Sequence, residues 1–206
     1  GSLGGPSSYI YKDSVYLTNY LIVPEYCNSP GDQTIGVFAH EMGHLYLLLP
    51  DLYDRDYSSR GTGRWSLMSG GAWNDGGSSP SHLDVWSKMK SGFIYEPFFV
   101  RDRSIQLVLP PIEALPSGVA RVGEGAEYFL IENRQKIGYD KFLPGSGILI
   151  WHIDENKEDN TEEWWPGLNS LNHYKVALEQ ADGRWELEHN LDKGNDAYGG
   201  YYNPYE

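Results

Sequence analysis

Apolar residues recur at helical spacing in the first quarter of the chain. They lie three or four positions apart, which places their side chains on one face of an α-helix. The four are Ile35, Phe38, Met42 and Leu45. Asp32 or Thr34 is suited to cap the first turn. The pattern predicts a buried helix that continues to about Leu49 and is ended by Pro50, which lacks an amide donor.

After about residue 95, short apolar runs alternate with turn residues. Such runs predict strands, at residues 105–109, 128–132, 147–153 and 174–178. Two further elements precede them, a strand at 20–23 and a second helix within 81–93 with Ser81 as its cap. We therefore expect an α+β fold. Its helical part comprises residues 1–95, and residues 96–206 form a β-rich subdomain packed on the first part.

The predicted helix contains His40, Glu41 and His44 in the pattern HExxH. Residues four positions apart share one helix face, so both imidazoles can bind the same Zn²⁺ ion. Glu41 lies about 100° around the helix from His40, where its carboxylate can contact a water molecule on the metal. This spacing predicts two zinc ligands and a general base.

Composition narrows the classes of partner. The chain has 206 residues and a formal net charge of −13, from 16 basic and 29 acidic side chains. Such acidity argues against binding to nucleic acid or an anionic membrane, and no apolar run is long enough for a membrane span. Together with 24 glycines and 16 tyrosines, it suits a secreted, extracellular protein. Carboxylate clusters at 154–160 and 192–196 make Ca²⁺ a second candidate cofactor.

Three stretches of sequence carry a family resemblance. They are residues 37–44 continuing through 49–54, residues 65–70, and residues 147–155 with 178–183. In this order they resemble the M6 family of secreted metallopeptidases, the immune inhibitor A-like proteases. The resemblance implies a zincin-type active-site helix, an aspartate as third zinc ligand, and a methionine-containing turn (Met-turn) beneath the metal, here Met68.

The chain departs from the family motif directly after the second histidine. The family has glycine seven residues after the first histidine and aspartate ten residues after it, whereas this chain has Leu47 and Pro50. A one-residue insertion accounts for the difference and makes Asp51 the expected third ligand. Asp54 and Asp56 are the alternatives, each also compatible with Ca²⁺ binding or with an ordinary polar loop.

The resemblance implies a zinc endopeptidase that cleaves peptide bonds of extracellular proteins, with Glu41 as general base. Only 39 residues precede His40, fewer than such domains place before the zinc helix. We therefore expect either that the chain is a fragment or a processed product, or that another chain is a partner that supplies the upstream half of the domain. The alternative is a structural or adhesion subunit that binds zinc without catalysis; a zinc hydrolase with another substrate is a third reading.

Several other residues have two readings each. Cys27 is either a latency ligand for the zinc or a cysteine without a role. Tyr46 and Tyr53 are candidates to polarise the scissile carbonyl. The remaining histidines are dispersed, and we expect them to be surface or packing residues; they are His82, His152, His173 and His189.

Overall fold

The structure is a computed structural model, which describes residues 2–4, 10–17, 19–26, 28–101, 105–115, 118–168 and 170–191. Cys27 and the acidic stretch 192–196 lie outside these ranges. Among the residues described, no helix is long and apolar enough to cross a membrane.

Two small antiparallel pairs of strands precede the first helix. β1 (Ser2–Gly4) pairs with β4 (Tyr20–Ile22), and β2 (Ile10–Lys12) forms a hairpin with β3 (Val15–Leu17). β4 confirms the strand predicted at 20–23. Both β1 and β4 contact the helix that follows.

Helix α1 (Ile35–Leu47) confirms the predicted helix, but the prediction of its buried face was wrong. Phe38 and Met42 are exposed, and the buried positions include Gly36 and Gly43. A β-carbon at Gly36 would lie 1.9 Å from the carbonyl oxygen of Ala72. The face with small residues is buried because only there can the helix backbone approach the next segment so closely.

The segment after α1 consists mainly of short 3₁₀ turns and one further helix. The 3₁₀ turns are Gly63–Trp65 and Gly70–Gly77, and helix α2 is Val85–Lys90. The expected cap at Ser81 was wrong: the Asp84 carboxylate accepts the backbone N–H of Ser87 at 2.9 Å and starts the helix there. The Ser81 amide instead bonds the Gly71 carbonyl at 2.9 Å.

The second part of the chain forms a five-stranded sheet in the order β5-β6-β7-β8-β9. β5 is parallel to β6 and the other neighbours are antiparallel. The strands are Phe98–Val100, Val119–Val122, Glu127–Arg134, Gly147–Asp154 and Val176–Glu179. The last three confirm predicted strands.

The strand predicted at 105–109 was wrong. Ile105 and Val108 are exposed and no ladder forms there. Two prolines follow the run and cannot donate to a neighbouring strand. Instead, the Leu109 carbonyl accepts the Asn133 side-chain amide at 2.8 Å, and Pro111 forms an isolated bridge with Asn133.

One continuous hydrophobic core joins the two parts of the chain. The inner face of the sheet, with Leu130 and Trp151, packs with Leu52, Trp65 and Met68 from the first part. Buried charges add a second connection, which centres on Arg134 of β7. Its guanidinium bonds the Asp140 carboxylate at 2.9 and 2.8 Å and the Trp65 carbonyl at 3.4 Å. The sheet therefore supports the segment that lies next to α1.

Candidate metal centre

His40, His44 and Asp51 meet at the C-terminal half of α1. His40 Nε2 lies 3.1 Å from His44 Nε2 and 3.1 Å from Asp51 Oδ1. His44 Nε2 lies 3.0 Å from the same Asp51 oxygen. Ligand atoms bound about 2.0–2.1 Å from a tetrahedral zinc ion are about 3.3 Å apart. The three atoms thus form a nearly equilateral triangle, slightly smaller than the one that ligands of tetrahedral zinc form.

Backbone carbonyls orient both imidazole rings. His40 Nδ1 lies 2.9 Å from the Leu67 oxygen, and His44 Nδ1 lies 2.7 Å from the Leu49 oxygen. A carbonyl oxygen can only accept a hydrogen bond, so each Nδ1 carries a proton. In the neutral rings each Nε2 therefore presents a lone pair. Two nitrogen lone pairs and a carboxylate oxygen face one another, an arrangement that a cation between them stabilises.

Asp51 reaches the histidines because the chain turns sharply at Leu48. This residue has left-handed backbone angles, φ 54° and ψ 34°, and is 79% exposed. The amides of Leu48 and Leu49 both bond the Gly43 carbonyl. The helix ends at Leu47, so its expected end near Leu49 with Pro50 as terminator was wrong. A leucine here adopts the conformation that usually favours glycine.

The turn at residues 66–69 connects the three candidate ligands. The Leu67 carbonyl holds His40, and the Met68 carbonyl accepts the amide of Leu52, next to Asp51, at 2.8 Å. The Met68 side chain is fully buried against Gly43, between the two histidines in sequence. This turn thus positions both the helix and the loop that carry the site.

The two alternative aspartates already have other partners. The Asp54 carboxylate is buried and accepts the amides of Asp56 and Ser59, at 3.0 and 2.7 Å. The Asp56 carboxylate accepts the Ser58 amide at 2.9 Å. Both carboxylates hold the loop after Asp51 in shape, and among these aspartates only Asp51 is grouped with the two histidines.

The charges of the three groups are coupled. The hydrogen bond to Asp51 raises the pKa of His44, although burial acts in the opposite direction. Burial would raise the pKa of Asp51, but the hydrogen bonds and positive charge that His40 and His44 supply when they are protonated at Nε2 outweigh that effect and hold the pKa well below its usual range. Asp51 is therefore a carboxylate at neutral pH, as a metal ligand must be.

Glu41 lies on the wall of a cleft of about 630 Å³ that also opens onto His40. Its side chain is 5% exposed. Tyr53, Arg64 and Trp73 also line this cleft. The Tyr53 ring stacks on that of His40 at a centroid distance of 6.3 Å. Burial, together with the nearby Asp51 charge, raises the pKa of Tyr53 to about 12, so it keeps its proton at neutral pH.

Several groups in this region were not found by reasoning from sequence. The Leu49 and Leu67 carbonyls are backbone atoms, which no residue pattern reveals. Arg64 and Trp73, which lie on either side of the turn in sequence, line the cleft, and nothing local indicates which way they face. Tyr46, the other candidate to polarise a carbonyl, is 70% exposed and does not line the cleft.

The acidic cluster at 154–160 has structural partners, and the structure offers no support for calcium there. The Asp154 carboxylate accepts the Asn156 amide at 2.9 Å. The buried Asn160 side chain bonds backbone atoms of Leu52 and Val176. These bonds tie the loop to β9, the function of an ordinary folded loop.

Comparison with known proteins agrees with the resemblance seen in the sequence. Residues 6–94 match the family model of the immune inhibitor A peptidase M6 catalytic domain. The chain is 43% identical over 68 residues to the pre-pro-metalloprotease PrtV of Vibrio cholerae serotype O1, a match over 31% of this chain. It is 51% identical over 51 residues to immune inhibitor A of Bacillus thuringiensis subsp. alesti, over 24% of this chain. Each match spans 7% of the relative's length.

Proposed function

With its resemblance to the M6 metallopeptidase family confirmed over residues 6–94, we propose that this chain carries the active site of a zinc-dependent endopeptidase. One observation carries the proposal. His40, His44 and Asp51 direct three ligand atoms at one point, with separations of 3.0–3.1 Å. The carbonyls behind the two rings leave both Nε2 atoms free to bind a metal ion.

These residues fit zinc and would hold it, with one coordination position left for water. Zinc in such a site acts as a Lewis acid and makes water more acidic. Glu41 accepts the proton that water loses as its oxygen attacks the peptide carbonyl carbon. It then delivers that proton to the amide nitrogen as the C–N bond breaks. Hydrolysis leaves one new carboxyl end and one new amino end.

Replacement of Glu41 by glutamine tests the proposal. We expect Glu41→Gln to bind one equivalent of zinc at the His40 site and to lose at least about 100-fold of its casein cleavage, because a general base contributes factors of this size. Glu124→Gln, at an exposed loop position, is the matched control and should cleave like the parent chain. Substantial cleavage by Glu41→Gln would refute the role of Glu41. A chain without zinc at His40 and His44 would refute the site.

The non-catalytic alternative gains no support from the comparisons. The matching family model describes a peptidase catalytic domain, and PrtV is named as a metalloprotease. It predicts a different outcome in the same assay. Zinc binding by the parent chain without any cleavage, with the protein folded and its substrate cleft complete, would favour it.

The active-site helix exposes an apolar stripe that suits a covering segment. Ile35, Met42 and Tyr46 are 49, 46 and 70% exposed, and Phe38 lies beside them. We propose that further polypeptide, from this protein or from another chain, packs on this stripe and completes the upstream side of the cleft. The proposed substrates are proteins and peptides, and the acidic composition supports an extracellular location.

Substitution on the stripe tests whether it is open. If Phe38 and Met42 face solvent in this chain, Phe38→Ser and Met42→Ser should change the free energy of unfolding by no more than about 0.5 kcal/mol each. A loss of about 2–5 kcal/mol, as in a packed core, would show that the stripe is already covered and contradict the proposal.

A further inference from the structure

A second group of histidine and carboxylate side chains lies on the outer face of the five-stranded sheet. Glu127 comes from β7, His152 from β8, and His173 from the loop before β9. One ligand atom from each lies within 4.8 Å of the others. Nothing in the proposed peptidase site uses these residues.

The sheet register explains why Glu127 and His152 meet. His152 pairs across the strands with Phe129, and Glu127 is two residues from Phe129, on the same face of β7. Its Oε1 lies 3.0 Å from His152 Nε2. The flanking residues Trp151 and Ile153 are buried in the core. The group therefore occupies the face of the sheet opposite that core.

A buried carboxylate lies beside His173. Asp154 Oδ2 lies 3.2 Å from His173 Nε2. The Asp154 carboxylate is itself held by the backbone and side-chain N–H groups of Asn156, at 2.9 and 2.8 Å. The two imidazole rings lie nearly parallel, with centroids 5.2 Å apart and 29° between their planes. A carboxylate next to a histidine ligand is a regular feature of metal sites.

We propose that Glu127, His152 and His173 form a second site for a divalent transition-metal ion of the zinc class. Two imidazoles and one carboxylate match the preference of zinc and its neighbours, whereas calcium prefers oxygen ligands alone. Ligand atoms about 3.3 Å apart are needed around tetrahedral zinc. The Glu127 Oε1–His152 Nε2 separation of 3.0 Å is close to this value, and His173 lies in a loop that can adjust towards the other two ligands.

Such an ion would link β7, β8 and the loop before β9. The three side chains lie on the face of the sheet opposite the hydrophobic core. The site therefore has a structural role and is independent of peptide hydrolysis. An ordinary network of ion pairs and stacked rings would predict no metal uptake at all. Metal stoichiometry therefore separates the two readings without any activity measurement.

The test is a titration of the full chain with Zn²⁺ by calorimetry and with Co²⁺ by visible absorption, whose bands report the ligand geometry. We expect two equivalents in the parent chain and one in His152→Ala/His173→Ala. We also expect one in His40→Ala/His44→Ala and none when the two pairs are combined. His189→Ala, a histidine outside both groups, is the matched control and should keep two equivalents.

Glu127→Gln keeps the test valid if the double variant does not fold, since Glu127 is an exposed side chain. It should weaken the second binding event at least about tenfold and leave the first unchanged. A single ion in the parent chain that is lost in His40→Ala/His44→Ala, or two equivalents retained by folded His152→Ala/His173→Ala, would overturn the second site. If the parent chain instead binds an ion at the second site but none at His40 and His44, the result would count against the proposed peptidase site.

Discussion

Met68 packs directly against Gly43 of helix α1. A β-carbon built on Gly43 would lie 2.5 Å from the Met68 sulfur and 3.2 Å from its methyl carbon. Both residues are buried, and Met68 has no exposed surface. Because Gly43, between the two histidines, has no side chain, the turn at residues 66–69 can pack closely against the helix.

Gly43→Ala should therefore force the methionine out of its place. We expect a loss of about 1–3 kcal/mol in the free energy of unfolding, the usual cost of overpacking a core, measured by urea denaturation. Adding Met68→Ala should recover part of this loss, because the new methyl group then has room. Gly36→Ala is the comparison: its β-carbon meets the Ala72 backbone at 1.9 Å, so its loss should be larger. A neutral Gly43→Ala variant would contradict the close contact.

Leu48 holds a backbone conformation that costs a leucine about 1–2 kcal/mol. Its side chain is mostly exposed and contributes little packing. Leu48→Gly should then stabilise the chain by up to about 1 kcal/mol, with zinc affinity unchanged because Asp51 keeps its position. Leu48→Ala, which keeps the strained conformation, should give no such gain in urea denaturation. Marked destabilisation by the glycine would show that Leu48 has a packing role.

Asp51 and Asp54 should respond differently to loss of charge. Asp51→Asn removes the carboxylate that lies 3.0 Å from His44, and zinc affinity should fall by more than about tenfold. Asp54→Asn should instead lower the free energy of unfolding by about 1–3 kcal/mol, since Asp54 accepts buried loop amides, and should leave zinc affinity nearly intact. Calorimetry and urea denaturation of both variants decide. Equal loss of zinc in the two would return Asp54 to the candidate ligands.

The stability of the metal-free chain should depend on pH through the His44–Asp51 pair. The depressed pKa of Asp51 adds stability that is present above its usual pKa of 3.8 and is lost as pH falls towards the lowered value. The raised pKa of His44 adds stability that is full below its usual 6.5 and is lost as pH rises through the raised value. The pair therefore stabilises the metal-free chain most between about pH 4 and 6.5.

Zinc should reverse this dependence, because protons compete with the metal for the same atoms. The gain in Tm on zinc addition should shrink as pH falls below about 6. The test is to measure Tm from pH 4 to 8, once with zinc and once with a chelator. In the measurements with chelator, Asp51→Asn should abolish the pH-dependent stability that the His44–Asp51 pair contributes. A zinc-dependent gain in Tm that is constant across this range would contradict metal binding by these histidines.

The Tyr53 side chain lines the cleft, and its hydroxyl hydrogen-bonds with Asp51. Its pKa of about 12 keeps it protonated, and its ring stacks on His40. Tyr53→Phe should reduce kcat for peptide cleavage by at least about tenfold, because it removes a donor to the developing oxyanion, with KM less affected. Tyr57→Phe, the neighbouring ring in the same cleft, is the control. Equal kcat values for the two variants would exclude a role for the Tyr53 hydroxyl.

Local sequence determined the elements that carry the proposed chemistry. The spacing of His40, Glu41 and His44 depends only on helix geometry, and α1 forms over them. The strands β7, β8 and β9 follow from apolar runs that suit a sheet with one buried face. Such predictions succeed because their periodicity lies within one element and needs no distant partner.

Tertiary structure decided what those elements face. The apolar spacing in α1 predicted that a helix forms there, but not which of its faces is buried. The face with the glycines is buried because it packs closely against Ala72 and Met68. The run 105–109 has strand composition but no partner strand among the described residues. Asp51 reaches the histidines only through the turn at Leu48, and the carbonyls that orient the rings are backbone atoms. Glu127, His152 and His173 are distant in sequence, so only the strand register and a folded loop bring them together.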